Sequence, residues 1–177
     1  MQQSYEITIT DAQTAEEILL SEAGSTYLHV LSFGDPGRSP PRGLHMPNRK
    51  VLRLEFMDVE ETSAETSAAN LPQTEHVQSV IDFFSNITEP APRILIHCQA
   101  GVSRSTAAGL ILLFLFEGDK DAAARRLQAI RPQALPNRLM IRLADQILGT
   151  NLIDTCEGIY SLRMAEMLRH IRESSED

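Results

Sequence analysis

A cysteine and an arginine six positions apart, Cys98 and Arg104, stand in the stretch Arg93-Ile-Leu-Ile-His-Cys-Gln-Ala-Gly-Val-Ser-Arg-Ser105, and their surroundings give both a chemical use. Ile94, Leu95 and Ile96 form a continuous apolar run, the pattern of a strand buried on both faces. From Ser103 to Phe116 the chain is apolar on nearly every side, which is the pattern of a buried helix. That helix is far short of the ~20 residues that cross a bilayer. Gly101 permits the sharp turn between strand and helix. A helix entered from such a loop points its free N–H groups and positive dipole end at whatever the loop encloses. The loop 97–105 therefore reads as an anion nest.

Two side chains make the nest a reaction centre. Cys98, where strand meets loop, turns its sulfur toward the helix N-terminus, a setting that favours the nucleophilic thiolate. Arg104 returns across the loop with a planar fork of donors that fits two phosphate oxygens at once, a geometry lysine lacks. Ser105 offers a hydroxyl to steady the sulfur as a leaving group, and His97 can order the loop through its ring nitrogens. Gln99, Ala100, Gly101, Val102 and Ser103 complete the phosphate-binding loop. The other cysteine, Cys156, has Leu162 at the sixth position after it and lacks the pattern. It reads as a buried small residue, with a resolving thiol as the alternative.

The stretch His97-Cys98-Gln99-Ala100-Gly101-Val102-Ser103-Arg104-Ser105 resembles the H-C-x-x-G-x-x-R-[ST] signature of the cysteine-based protein tyrosine and dual-specificity phosphatases. The continuation Ser105-Thr106-Ala107-Ala108 resembles a compact bacterial branch of that superfamily. The resemblance implies hydrolysis of a phosphorylated protein or small phosphate monoester through a phosphocysteine, with no cofactor and no metal. It also implies a proton-donating aspartate at the end of a strand some tens of residues before the cysteine. Asp58 follows the strand pattern of Val51, Leu52, Leu54 and Phe56 and fits that place, with Glu60 and Glu61 as neighbouring alternatives. Such a carboxyl first protonates the leaving oxygen and then activates the hydrolytic water.

Further residues enter through the same resemblance. Between Ser32 and Lys50 lie four of the nine prolines and three of the nine glycines, with Arg38, Arg42, Arg49 and Lys50, so this long loop is locally basic. Similar phosphatases place their substrate-recognition wall here, which makes Arg38 and Arg42 candidate substrate contacts. Arg131-Pro-Gln-Ala-Leu-Pro-Asn137 resembles a segment whose asparagine lies near the phosphate loop, although a helix cap is the plainer reading of Asn137. Asp35, in Gly-Asp-Pro-Gly, reads as a turn residue. Rival readings keep the same cysteine loop in a catalytically silent phosphate-binding protein, or in a sulfur-transfer or arsenate-reducing enzyme.

The elements that must hold these residues alternate between strand and helix. Tyr5, Ile7 and Ile9 alternate with polar residues, and Tyr27 to Leu31 is a second strand. Asp11 or Thr14 caps a helix that ends near Gly24, and Asn70 caps a helix from Pro72 to Ile87 on which His76 is structural. Asp119 caps a further helix, and another runs from Pro136 to Leu148. Residues 62–70 have no apolar anchor and read as a mobile continuation of the acid loop, 58–70. The fold expected is α/β, a three-layer sandwich with a mostly parallel central sheet and the active site at the carboxyl ends of its strands.

Composition bounds the remainder. A chain of 177 residues, 42% hydrophobic, can bury one core, so residues 1–150 read as the phosphatase domain. Residues 151–177 read as an amphipathic helix packed on that domain or pairing a homodimer. The net charge of −8 argues against nucleic acid or an anionic membrane as partner. Two cysteines 58 positions apart make no disulfide framework, and the N-terminus lacks a signal-peptide pattern, so a cytoplasmic site is expected. The five histidines show no zinc spacing.

Overall fold

The computed structural model describes residues 5–61, 67 and 70–174. Four strands, β1 (Glu6–Asp11), β2 (His29–Gly34), β3 (Lys50–Glu55) and β4 (Arg93–Cys98), form one sheet in the order β1-β4-β2-β3. Every pairing in it is parallel. The continuous Ile94-Leu95-Ile96 run is fully buried because β4 lies inside the sheet with a helical layer on each face. On one face Ala15 and Leu19 of α1 (Ala12–Leu20) pack with Val30, Leu95 and Tyr27. On the other, Ile94 and Ile96 meet the larger core built from α2 (Thr74–Ser85), α3 (Arg104–Glu117), α4 (Lys120–Ile130) and α5 (Arg138–Leu148). The fold is the three-layer α/β architecture expected from the sequence.

The element ends follow capping chemistry. Asp11 opens α1, its carboxylate accepting from Thr14 N at 2.9 Å and Thr14 Oγ at 2.8 Å. Asp119 caps α4 through Ala122 N. For α2 the expected cap moves. Gln73, not Asn70, is the N-cap, and the Gln73 main-chain N–H donates to His76 Nδ1 at 3.1 Å to close a capping box. The His76 ring also stacks on Phe56, 4.9 Å between centroids, which accounts for a histidine on this helix without any chemistry. Strand β2 runs on to Gly34 rather than stopping at Leu31, which carries the chain three residues closer to the phosphate loop. Of the acid-loop continuation, residues 62–66, 68 and 69 lie outside the described residues.

The basic loop after β2 is pinned. Arg49 is buried, and its guanidinium donates to four carbonyls: Tyr27 at 2.8 Å, Gly43 at 2.5 Å, Gly24 at 2.5 Å and Leu44 at 3.2 Å. It is a strut rather than a solvated charge. Replacing it by methionine leaves those carbonyls without donors, and the Arg49→Met variant is expected to lose roughly 3 kcal/mol in a denaturant titration.

The last helix, α6 (Leu152–Glu173), buries Leu152, Cys156 and Ile159 against α4 and α5. Its second half leaves Met164, Met167, Leu168 and Ile171 exposed. No helix among the described residues is long and apolar enough to cross a membrane.

Candidate active site

All four strands end, at their carboxyl edge, on groups that face one another. Strand β4 ends at Cys98, and β1 ends at Asp11, beside the N-terminus of α1. Asp35 follows β2, and Asp58 stands three residues past β3. This is the edge at which open parallel sheets collect ligand-binding loops.

The phosphate loop is shaped by what holds its carbonyls. Ala12 N donates to the Gln99 carbonyl at 3.3 Å, Leu135 N to the Val102 carbonyl at 2.9 Å, and Asn137 N to the Ser103 carbonyl at 3.3 Å. Arg131 takes the two between, donating from Nε to the Gly101 carbonyl at 2.8 Å and from Nη2 to the Ala100 carbonyl at 3.3 Å. The five carbonyls from 99 to 103 are thus drawn outward. In a tight turn their amides are then free to face inward, and Gly101 N donates to Cys98 Sγ at 3.2 Å. Gly101 has φ +68°, and a Cβ there would stand 2.4 Å from the Thr10 carbonyl carbon and 2.7 Å from Arg131 Nη2, so only glycine fits.

Around the sulfur the structure brings together most of the residues singled out from the sequence. Cys98 is buried, and Ser105 Oγ lies 3.2 Å from Sγ. Arg104, 1% exposed, donates from Nη1 to the Phe56 carbonyl at 2.6 Å, and the same nitrogen lies 2.9 Å from Asp35 Oδ1. Its Nε has no hydrogen-bond partner. One end of the fork is anchored in the protein, and its Nε is left without a hydrogen bond. Asp35 is therefore more than the turn residue its Gly-Asp-Pro-Gly setting suggests: its carbonyl accepts from Arg38 N while its carboxylate holds Arg104.

Asp58 faces the same guanidinium, its Oδ2 3.7 Å from Arg104 Nε. Its Oδ1 accepts from Ser103 Oγ at 2.6 Å and from Asn137 Nδ2 at 3.1 Å. Asn137 serves two purposes at once, because its Oδ1 also accepts from Met140 N to cap α5. Glu60 is turned elsewhere, accepting from Arg138 N at 2.6 Å. Arg38 reaches the loop, donating from Nη1 to Gln99 Oε1 at 2.9 Å, whereas Arg42 is held by Glu16 at 2.8 Å. Among the described residues no group of three or more His, Cys, Asp or Glu is placed to hold a metal.

His97 is fully buried, and neither ring nitrogen is closed by a well-formed hydrogen bond. Burial, with Arg53 nearby, pushes its pKa down to about 4, so the ring is neutral at working pH. The unfolded chain takes up that proton near pH 6.5 while the folded one resists until about 4. Stability is therefore full above 6.5 and falls as the pH drops toward 4. Thermal melts are expected to show His97 costing about 3 kcal/mol across that window, a loss absent from His97→Gln.

Cys156 is buried and directs its thiol at the Pro136 carbonyl, 3.5 Å away. Burial pushes that thiol up to about 12, which keeps it protonated and unreactive. Near it Tyr160 donates to the Pro136 carbonyl at 3.2 Å, so α6 supports the 131–137 segment that in turn braces the phosphate loop.

No family model and no curated protein matches the chain. Solved structures do. Human DUSP28 matches with a TM-score of 0.57 at 17% identity, over 79% of this chain and 89% of its own. DUSP15 matches with a TM-score of 0.56 at 19% identity, over 86% and 90%. OH1 from the Orf virus, described as a tyrosine phosphatase with triple substrate specificity, matches at 0.51 and 16% identity over 83% and 84%. The chain has the fold of the cysteine-based protein tyrosine phosphatase superfamily, and the similar structures within it include dual-specificity phosphatases.

Proposed function

We propose that the protein hydrolyses phosphate monoesters as a protein tyrosine or dual-specificity phosphatase, through a phosphocysteine on Cys98. The observation that carries this reading is the buried Arg104, whose Nε makes no hydrogen bond and only a 3.7 Å ion pair with Asp58, at the end of a loop that turns the Gly101 amide onto the Cys98 sulfur. An anion with several acceptor oxygens satisfies both.

Phosphate enters the loop with its three non-bridging oxygens on the inward amides and the free edge of Arg104. The Cys98 thiolate attacks phosphorus in line, forming the S–P bond as the P–O bond to the leaving group breaks. Negative charge on the equatorial oxygens is stabilised by donors already in place, which is where most of the acceleration arises. Asp58 gives its proton to the departing oxygen. The resulting carboxylate then takes a proton from water as the water oxygen attacks phosphorus and the S–P bond breaks. Ser105, 3.2 Å from Sγ, stabilises the thiolate as it leaves. In this reading residues 1–150 form the catalytic domain, and the nucleophile requires a reducing compartment.

The test is hydrolysis of para-nitrophenyl phosphate and of phosphotyrosine in EDTA, with vanadate as inhibitor. Turnover without metal and inhibition by vanadate are expected. No turnover together with tight vanadate binding indicates a phosphate binder instead. Asp58→Asn retains an oxygen that can accept from Ser103 but has no proton to give. Its kcat is expected to fall about 10²- to 10⁴-fold with an alkyl phosphate, and less with para-nitrophenyl phosphate, whose leaving group needs little protonation. Equal losses on both substrates would remove Asp58 from the acid role.

A further inference from the structure

We infer that a second anion-binding subsite adjoins the phosphate loop, so that the substrate carries a second phosphate or carboxylate near the one that is cleaved. This rests on the phosphatase reading of the Cys98 loop and specifies the substrate class. The feature is a cleft of about 450 Å³ lined by Arg38, Arg42, Arg53, Gln13, Gln99 and His97. It adjoins the phosphate loop at Gln99, the residue after Cys98, whose side chain takes the hydrogen bond from Arg38.

The charges in the cleft are unequal in availability. Arg42 is spent on Glu16, the carboxylate of the lining, which accepts from both its side chain and its main-chain N–H. Arg53 is shared between Ser32 Oγ, the Arg38 carbonyl and Glu55. Gly34 lets its guanidinium lie across the β2 backbone, since a Cβ there would stand 1.9 Å from Arg53 Nη2. Arg38 alone of the three meets no carboxylate among the described residues; its side chain donates to the neutral Gln99 amide. With His97 neutral, the three arginines and Glu16 leave the lining at a net charge of +2 in a protein of net charge −8.

A single phosphate is satisfied by the loop and Arg104, and nothing in that transfer uses Arg38. A guanidinium offered to solvent one residue from the nucleophile suits a second anion on the same molecule, because bidentate Arg–phosphate pairing is strong and directional.

The experiment compares kcat/KM for two matched pairs: a phosphotyrosyl peptide with one phosphate and with a second phosphorylated neighbour, and a hexose monophosphate and bisphosphate. At least one two-anion member is expected to be preferred by about tenfold, and Arg38→Ala to bring that ratio close to one. The pair that responds identifies the source of the second anion. Equal kcat/KM within both pairs, or an Arg38→Ala loss shared equally by one- and two-anion substrates, overturns the subsite. Calorimetry on Cys98→Ser with the same ligands reads binding without turnover. If nothing is hydrolysed but the two-anion ligands still bind about tenfold tighter in an Arg38-dependent way, the hydrolase reading fails and the subsite stands. If that preference is also absent, both fail.

Discussion

Cys98→Ser is expected to abolish turnover while leaving phosphate binding intact. The substitution exchanges one atom in a buried site and keeps a group that accepts from Gly101 N and sits beside Ser105, so the loop has no reason to rearrange. The chemistry changes completely, because a serine hydroxyl remains protonated at neutral pH and the loop holds no base to take its proton. In enzymes that react through a covalent intermediate, removing the nucleophile costs on the order of 10⁶ in kcat, and a loss of at least about 10⁵ is expected here. Three measurements check it. Steady-state hydrolysis falls to background, rapid acid quench of the wild type alone traps a phosphorylated Cys98 by mass spectrometry, and vanadate or phosphate titration gives similar affinity for both proteins. Residual activity near wild type would show that a different group attacks phosphorus.

What the sequence disclosed and what it hid follow from how each residue is placed. The Cys98 to Arg104 loop was legible because strand, turn and buried helix are contiguous, and each leaves its own local pattern. Asp58 was legible because its strand ends just before it. The brace around the loop was not, since the Arg131 side chain and the Leu135 and Asn137 amides meet loop carbonyls only once α4, α5 and the segment between them are packed on the domain. Asn137 drew two competing expectations, helix cap and loop neighbour, and the structure gives it both contacts, its N–H on the Ser103 carbonyl and its Oδ1 on Met140 N. Charged residues in the 32–50 loop were least legible, because a formal charge does not name its partner. Arg49 is buried on carbonyls, Arg42 is tied to Glu16, and of these three arginines Arg38 reaches the phosphate loop. Asp35 was assigned to a turn for sound local reasons. Its pairing with Arg104 depends on β2 and β4 being neighbours in the sheet, a fact of topology that no local signal carries.

The second large effect is expected from Arg104→Lys, a change that conserves charge. In the proposed mechanism Arg104 does two tasks with one planar group: Nη1 is fixed by the Phe56 carbonyl at 2.6 Å and by Asp35 at 2.9 Å, and Nε, which makes no hydrogen bond, is available to the phosphate. A lysine ammonium is a single donor centre on a flexible stem and cannot reach both. If it stays with Asp35 and Phe56, the phosphate loses its clamp. If it turns to the phosphate, Asp35 and the Phe56 carbonyl lose theirs. Either way the donors no longer match the flattened equatorial oxygens of the transition state, where the charge to be stabilised is greatest. An arginine in this role contributes about 10³ to 10⁵ in kcat, and most of that is expected to be lost, with a smaller rise in KM because the ground-state dianion still meets the amides and a cation. Asp35→Asn makes the informative contrast, since it keeps an oxygen near Nη1 but removes the charge. It should lower kcat far less, and any loss should reside in the positioning of Arg104 rather than in proton transfer, leaving the shape of the pH profile unchanged. If Arg104→Lys instead retains kcat within about tenfold of the wild type, the fork geometry is not what stabilises the transition state, and the amides of residues 99–103 must carry that role alone.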